Sequence, residues 1–485
     1  MSDFLSDLKA RVEALAGILT NQSASGEVDT YYPIKSECQD DVPKIRFRPR
    51  VGKTLSERKW NAAFHHDGSL DIAKVLRRIQ RGGVHPSIKG EVWEFLLGCY
   101  DPNSTFSERN QLRQHRRKLF ETWKAKCQKM VLVIGSGSII TTPIITEDGQ
   151  PIQNISTSGG LQDENGTRST SSPESSLGLK GRVDVETDKK VIQWKLLLHQ
   201  IGLDVVRTDR FLAFYESEAN QAKLWNVLSV YAWVDGDIGY CQGMNDICSP
   251  IVVLLDDEAD AFWCFERAMR RLRENFRCST SHIGVQSQLG TLSKIIKTVD
   301  PKLHQHIEDI DGGEYLFAFR MLMVLFRREF SFVDALYLWE LMWAMEYNPN
   351  IFLSYEKPSN NPDKSIAPKL SDELLKQYGK FERKNVRAGR KDQQNALAVF
   401  LVANVLETKN KKLLRDAKGL DDVVKIVGDI IGNLDAKRAC KGALKIQRKY
   451  LTKAISLSLS LSLSLTHTHT HTLTQNDLLK RILYP

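Results

Sequence analysis

The chain has 485 residues, a net charge of +9 and 42% hydrophobic residues, enough apolar content for one large fold with appendages or two to three domain-sized units. Its eight cysteines form no C-x-x-C pair and read as reduced cytosolic thiols; neither they nor His65-His66 have metal-ligand spacing. The basic excess comes without zinc-finger spacing, an RNA-recognition signature or an aromatic stacking series, which argues against a nucleic-acid partner and leaves charge spread over helix surfaces or attraction to an anionic membrane leaflet.

At the amino terminus Phe4, Leu8, Val12, Leu15 and Leu19 recur at helical spacing, which predicts an amphipathic helix over residues 1–22. Asp3 and Asp7 stand where a signal peptide is basic, and no later run matches the apolar length of a membrane span, so the chain reads as soluble and cytoplasmic. Residues 23–54 mix polar residues, prolines and charges and read as a linker. The main domain is expected over residues 55–454, anchored first by Trp60 and Phe64. A basic amphipathic helix is predicted from Asp71 to Gln80, broken by Gly82-Gly83, and Pro86 opens another that carries Val92, Trp93, Phe95, Leu96 and Leu97. From Ser107 to Lys129 a long basic helix turns Leu119, Phe120 and Trp123 inward. Composition then shifts to Ser, Thr and Gly, and residues 135–188 read as a disordered insertion. Helical spacing returns at Lys189, with Trp194, Leu197 and Leu198, and leads straight into Ile201.

The stretch from Ile201 to Pro250 carries the chemistry. Asp204 and Arg207 are three apart, so on a helical turn the carboxylate and the guanidinium share a face and Asp204 can hold the arginine's stem. Taken alone, such a pair reads as an ordinary surface ion pair. In Gly239-Tyr240-Cys241-Gln242-Gly243-Met244 two glycines bracket the glutamine and permit backbone angles barred to other residues. Alone, this loop reads as a helix–helix turn with a solvated glutamine. Ser249 and Pro250 read as N-cap and first residue of the next helix. Cys241 has no histidine near it in sequence and is set aside as a nucleophile.

Further on, Asp257 to Phe276 reads as a helix with an aromatic and methionine stripe turned to the core. An apolar run follows from Phe319 to Ala344, then a second polar insertion over residues 348–391. Leu420 to Asp435 is the last domain element, before a basic amphipathic helix from Ala436 to Ala454. Residues 455–485 read as a low-complexity tail: Ser alternates with Leu, then Thr with His, as dinucleotide repeats would be translated, so the tail is expected to come from a retained intron or a gene-model artefact.

Together the two polar turns resemble the TBC domain, the catalytic domain of Rab GTPase-activating proteins. Its I-x-x-D-x-x-R signature stands here as Ile201, Asp204 and Arg207, and its Y-x-Q-G-M signature as Tyr240, Gln242, Gly243 and Met244. The family's R-x-x-x-W is met by Lys89 and Trp93, with lysine replacing arginine, and Trp339-Glu340 sits where many members carry Trp-Asp. The resemblance implies an all-α, two-lobed helical domain, here with disordered insertions and flexible termini. It also implies that Arg207 and Gln242 are delivered to the nucleotide of a GTP-bound Rab-type GTPase, supported by Asp204, Ile201, Tyr240, Gly243, Met244, Trp93 and Lys89. GTP and Mg²⁺ would then belong to the partner, the chain would need no cofactor or metal of its own, and peripheral contact with endomembranes is expected. The competing reading is a helical scaffold that binds a GTPase or another partner without activating it.

Overall fold

The computed structural model describes residues 30–145, 178–277, 284–356, 372–388, 396–432 and 434–465. Among these residues the regular elements are helices, in chain order α1 (Glu57–Asn61), α2 (Ile72–Gly82), α3 (Lys89–Leu96), α4 (Phe106–Met130), α5 (Gly178–Val205), α6 (Glu218–Val234), α7 (Met244–Leu254), α8 (Glu258–Leu272) and α9 (Val285–Val299). They continue with α10 (Pro301–Asp309), α11 (Phe319–Met323), α12 (Phe332–Met345), α13 (Ile351–Glu356), α14 (Asp372–Gln377), α15 (Lys380–Ala388), α16 (Ala396–Asp416), α17 (Leu420–Gly428) and α18 (Ala436–Leu465). Only three isolated β-bridges interrupt this all-α character among the described residues. The helix expected over residues 1–22 lies outside them, as do residues 146–177 of the first expected insertion and the tail beyond Leu465.

Local chemistry accounts for the helix ends. Asp71 caps α2 by accepting from the Lys74 amide, and Thr105 and Glu108 form a reciprocal capping box at the start of α4. Helices α4 to α8 pack on one another as one group, and α9 to α11 with α16 to α18 as a second. Between them lies α12, which contacts α2, α3 and α18 and is buried from Phe332 to Ala344.

A helix buried on all sides must pair its polar groups. On α12, Asp334 accepts from the Arg46 and Phe47 amides at 2.8 and 2.7 Å, and from Ser331 Oγ at 2.6 Å. Glu340 pairs with the Lys89 ammonium and accepts from Trp93 Nε1 at 3.2 Å and the Val84 amide at 3.0 Å. Burial lowers the proton affinity of Lys89 and raises that of Glu340, with each partner opposing the shift of the other. Lys89 and Trp93 therefore join α3 to α12 inside the core.

Several stretches differ from the sequence expectations. Residues 30–54 are no free linker: Tyr32 and Phe47 are buried, and the Lys35 amide donates to Phe211 O at 2.9 Å. These backbone and carboxylate contacts leave no periodic trace in sequence. Residues 135–145 are mostly exposed but are held to the domain at points. The Gly135 amide donates to Asn226 Oδ1 at 3.1 Å, and Ile140 lies so close to Gly202 that a Cβ there would sit 2.0 Å from its oxygen. Helix α5 begins at Gly178, eleven residues ahead of Lys189. Within 348–391, α13, α14 and α15 form; Asn385 Nδ2 donates to Met345 O at 2.8 Å and Tyr347 O at 3.0 Å. Pro250 lies inside α7, which starts instead after Gly243. The Ser-Leu repeat through Leu465 continues α18 as helix.

Candidate functional site at the arginine turn and glutamine loop

The arginine turn grows from the end of α5, whose inner face is anchored before the chain turns. Trp194 packs edge-on against Trp233, and Leu198 O accepts from Trp225 Nε1 at 3.0 Å. Ile201 and Val205 are fully buried. The chain then coils through Arg207 and Thr208, and Asp209 adopts a left-handed conformation, φ 44°, which Asp tolerates better than most residues. Its carboxylate explains why that conformation persists: Oδ2 accepts from Ser249 Oγ at 2.6 Å, and Oδ1 pairs with buried Arg327.

Arg207 projects outward with its side chain 57% exposed, while Asp204 behind it is 3% exposed and holds the guanidinium through Oδ1. The second oxygen of Asp204 accepts from the Tyr240 hydroxyl at 2.6 Å. Burial, reinforced by the Asp204 charge, drives the Tyr240 phenol far above its ordinary range, so this hydroxyl remains a donor.

Gln242 is exposed at the tip of the facing loop. Gly243 follows with φ 103° as the N-cap of α7, and a Cβ there would also press on Val324 at 3.1 Å. Asn245 closes the loop. Its Oδ1 accepts from the Gly243 amide at 2.9 Å, and its Nδ2 donates to Thr208 Oγ1 at 2.9 Å. Thr208 Oγ1 in turn donates to Asp204 O at 2.6 Å. Met244 is buried, with its sulfur 3.4 Å from the Cys241 amide. The arginine turn and the glutamine loop are thus one hydrogen-bonded unit, with Arg207 and Gln242 left pointing out of it.

Both side chains line a cleft of about 650 Å³, whose far wall is Tyr32, Ile34 and Val42 from the segment ahead of α1. Arg328 bridges to Asp246 on the first turn of α7 at 2.7 Å. Lys89 and Trp93 do not reach this cleft. Thr208, Asp209, Asn245, Arg327 and Arg328 belong to neither signature, yet the fold brings them to the site. Their traces are polar residues directly after Arg207 and Met244, and an adjacent pair of arginines inside the apolar run from Phe319 to Ala344. No grouping of His, Cys, Asp and Glu among the described residues is suited to a metal ion. No helix among them is long and apolar enough to cross a membrane.

A helical domain with this pair of joined polar turns defines a class, and comparison with known proteins agrees with it. Residues 173–355 match the RabGAP-TBC family, described as the Rab-GTPase-TBC domain. Rab GTPase-activating protein 22 of Arabidopsis thaliana is 31% identical over 369 residues, covering 60% of this chain and 66% of that protein. TBC1 domain family member 17 of Homo sapiens is 30% identical over 63% of this chain and 40% of that protein. The GTPase-activating protein gyp7 of Schizosaccharomyces pombe is 27% identical over 78% and 45% respectively. The chain thus spans just under two thirds of the plant relative and less than half of the other two. The crystal structure of the Ypt/Rab-GAP domain of Gyp1p superposes with a TM-score of 0.51 at 16% identity, over 81% of this chain and 98% of that one, and so shares the fold. The chain is thus similar to RabGAP-TBC proteins, with the family's domain matched over residues 173–355.

Proposed function

We propose that this protein is a GTPase-activating protein for a Rab-type small GTPase, and that it acts in vesicle trafficking with peripheral contact to endomembranes. Hydrolysis of GTP is slow when the attacking water is poorly placed and charge developing on the phosphates is poorly neutralised. Arg207 enters the partner's nucleotide site and neutralises that charge with a planar fork that a lysine cannot reproduce. Gln242 orients the attacking water in place of the GTPase's own glutamine. Asp204 holds the guanidinium, and Tyr240 ties the glutamine loop to the arginine turn before the partner arrives, which reduces the ordering left to be done on binding. GTP and Mg²⁺ come with the GTPase.

The observation that carries this reading is that Arg207 and Gln242 line one cleft from two turns hydrogen-bonded to each other. A panel of GTP-loaded Rab proteins, assayed under single-turnover conditions at fixed salt with and without the chain, tests it. Acceleration of at least one member is expected; tight binding with no acceleration of any bound member would favour the silent scaffold.

A further inference from the structure

A second cavity, of about 400 Å³, lies between α1 and α2, away from the residues of the finger cleft. Its floor is apolar, formed by Leu55, Ala63 and Val75, and its rim carries Arg58, Lys59, Lys74 and Arg78 with no acid among the lining residues. Three of these cations face main-chain oxygens. Lys59 Nζ lies 3.5 Å from Thr54 O, Lys74 Nζ 3.5 Å from Ala62 O, and Arg78 donates to Gly52 O at 2.8 Å. Burial, and repulsion from Arg78 and Arg58, lower the proton affinity of Lys59. Like charges gathered over an apolar floor are unfavourable in the free protein and are relieved by a multivalent anion.

The bond from Arg78 to Gly52 ties the cavity to the turn Arg50-Val51-Gly52-Lys53. That turn is ordered: the Lys53 and Thr54 amides donate to Arg50 O at 3.1 and 2.9 Å, and Thr54 Oγ1 donates to Gly82 O at 2.9 Å. At its tip Val51 is wholly exposed, between Arg50 and Lys53. An apolar residue presented this way, with cations beside it, suits the boundary between lipid phosphates and acyl chains. The positive surface continues onto α18. There Lys437 donates to Arg81 O at the end of α2, and burial, then repulsion from Lys441, Arg50 and Lys53, lowers its proton affinity. Between Ala436 and Ala454 this helix has no acidic residue, and Arg438, Lys441, Lys445 and Arg448 are exposed.

We propose that the cavity between α1 and α2 binds the clustered phosphates of a polyphosphorylated inositol headgroup, presented by an anionic membrane leaflet into which Val51 inserts. The leaflet is favoured over nucleic acid because the surface offers an apolar tip and an apolar floor but no exposed aromatic for bases to stack on at the cavity. The α18 cations add attraction to the same leaflet without reading the headgroup. This inference is independent of the roles given to Arg207 and Gln242.

The test is sedimentation of the full chain with phosphatidylcholine vesicles carrying either phosphatidylinositol bisphosphate or phosphatidylserine at matched charge. Preference for the inositol lipid is expected, with Lys59→Gln/Arg78→Gln weakening that binding about tenfold or more. Soluble inositol trisphosphate is expected to compete. Val51→Asp is expected to lose vesicles while retaining the soluble trisphosphate, which separates a membrane headgroup from a free phosphate. Thermal unfolding and Rab-stimulated hydrolysis in solution should be unchanged in all these variants. Equal binding to both vesicle types, full binding by the double variant, equal competition by a charge-matched DNA duplex, or vesicle binding unaltered by Val51→Asp would each overturn the proposal.

Discussion

The Tyr240 hydroxyl donates to one oxygen of Asp204, at 2.6 Å, while the other oxygen of the same carboxylate holds Arg207. One buried anion therefore fixes the arginine turn and the glutamine loop relative to each other. The guanidinium is held by this contact while more than half of the arginine side chain stays exposed.

Removing the Tyr240 hydroxyl should uncouple the two turns. In Tyr240→Phe the Asp204 carboxylate loses a buried donor, which is expected to reduce stability by about 1 to 3 kcal/mol. Stimulated hydrolysis should fall as well, through a lower rate at saturating partner rather than weaker binding. Urea unfolding with single-turnover kinetics checks both; unchanged kinetics at reduced stability would show that the hydroxyl supports the fold alone.

The left-handed Asp209 depends on a buried cation. Arg327→Met leaves the Asp209 carboxylate, 9% exposed, without its counter-charge, and breaking such a pair is expected to destabilise by about 3 to 5 kcal/mol. Asn is tolerated in the left-handed region, so Arg327→Met/Asp209→Asn should recover much of that loss. Denaturation midpoints of the two variants give the answer, and failure of the second change to recover stability would place the cost in packing against Phe332, whose ring lies 4.9 Å from the Arg327 guanidinium.

A different carboxyl sets a pH dependence. Glu94 is bound by both oxygens to Arg113, at 3.0 and 2.8 Å, yet burial outweighs that pull and raises it from 4.5 to about 7. A carboxyl raised on folding contributes stability that is fully present below its unfolded value and is lost as pH rises through the folded value. Wild type should therefore lose stability between about pH 4.5 and 7 from this group, by at most about 3 kcal/mol. Glu94→Gln removes the titration, so its stability relative to wild type should rise from pH 5 to pH 8. A difference that stays constant across that range would contradict the assignment.

Much of the site could be read in advance because its chemistry lies close in sequence. Asp204 with Arg207, and Tyr240 with Gln242 and Gly243, are short-range patterns, and the helices at α2, α4 and α8 announce themselves by apolar spacing and caps. What stayed hidden are partnerships between distant residues. Lys89 looked like a substitution that keeps charge and loses a fork; in the fold it is buried against Glu340, 251 positions away. Ser249-Pro250 has the look of a helix start, but the loop held by Asn245 begins the helix earlier and carries proline into its interior. The consecutive left-handed residues Leu325 and Phe326, φ 48° and 60°, which deliver Arg327 and Arg328, break every local preference. Residues 30–54 pair through backbone and through Asp334, and such contacts have no sequence signature.

The most direct measurement is single-turnover GTP hydrolysis on the Rab protein that the wild-type chain accelerates, with Arg207→Ala, Arg207→Lys and Gln242→Ala compared at saturating concentration. An arginine finger contributes about 10³ to 10⁵ in rate in other GTPase systems. Near-complete loss in all three variants, with partner binding and unfolding midpoints retained, is the predicted result. Full acceleration by either alanine variant would contradict the assignment of the two groups.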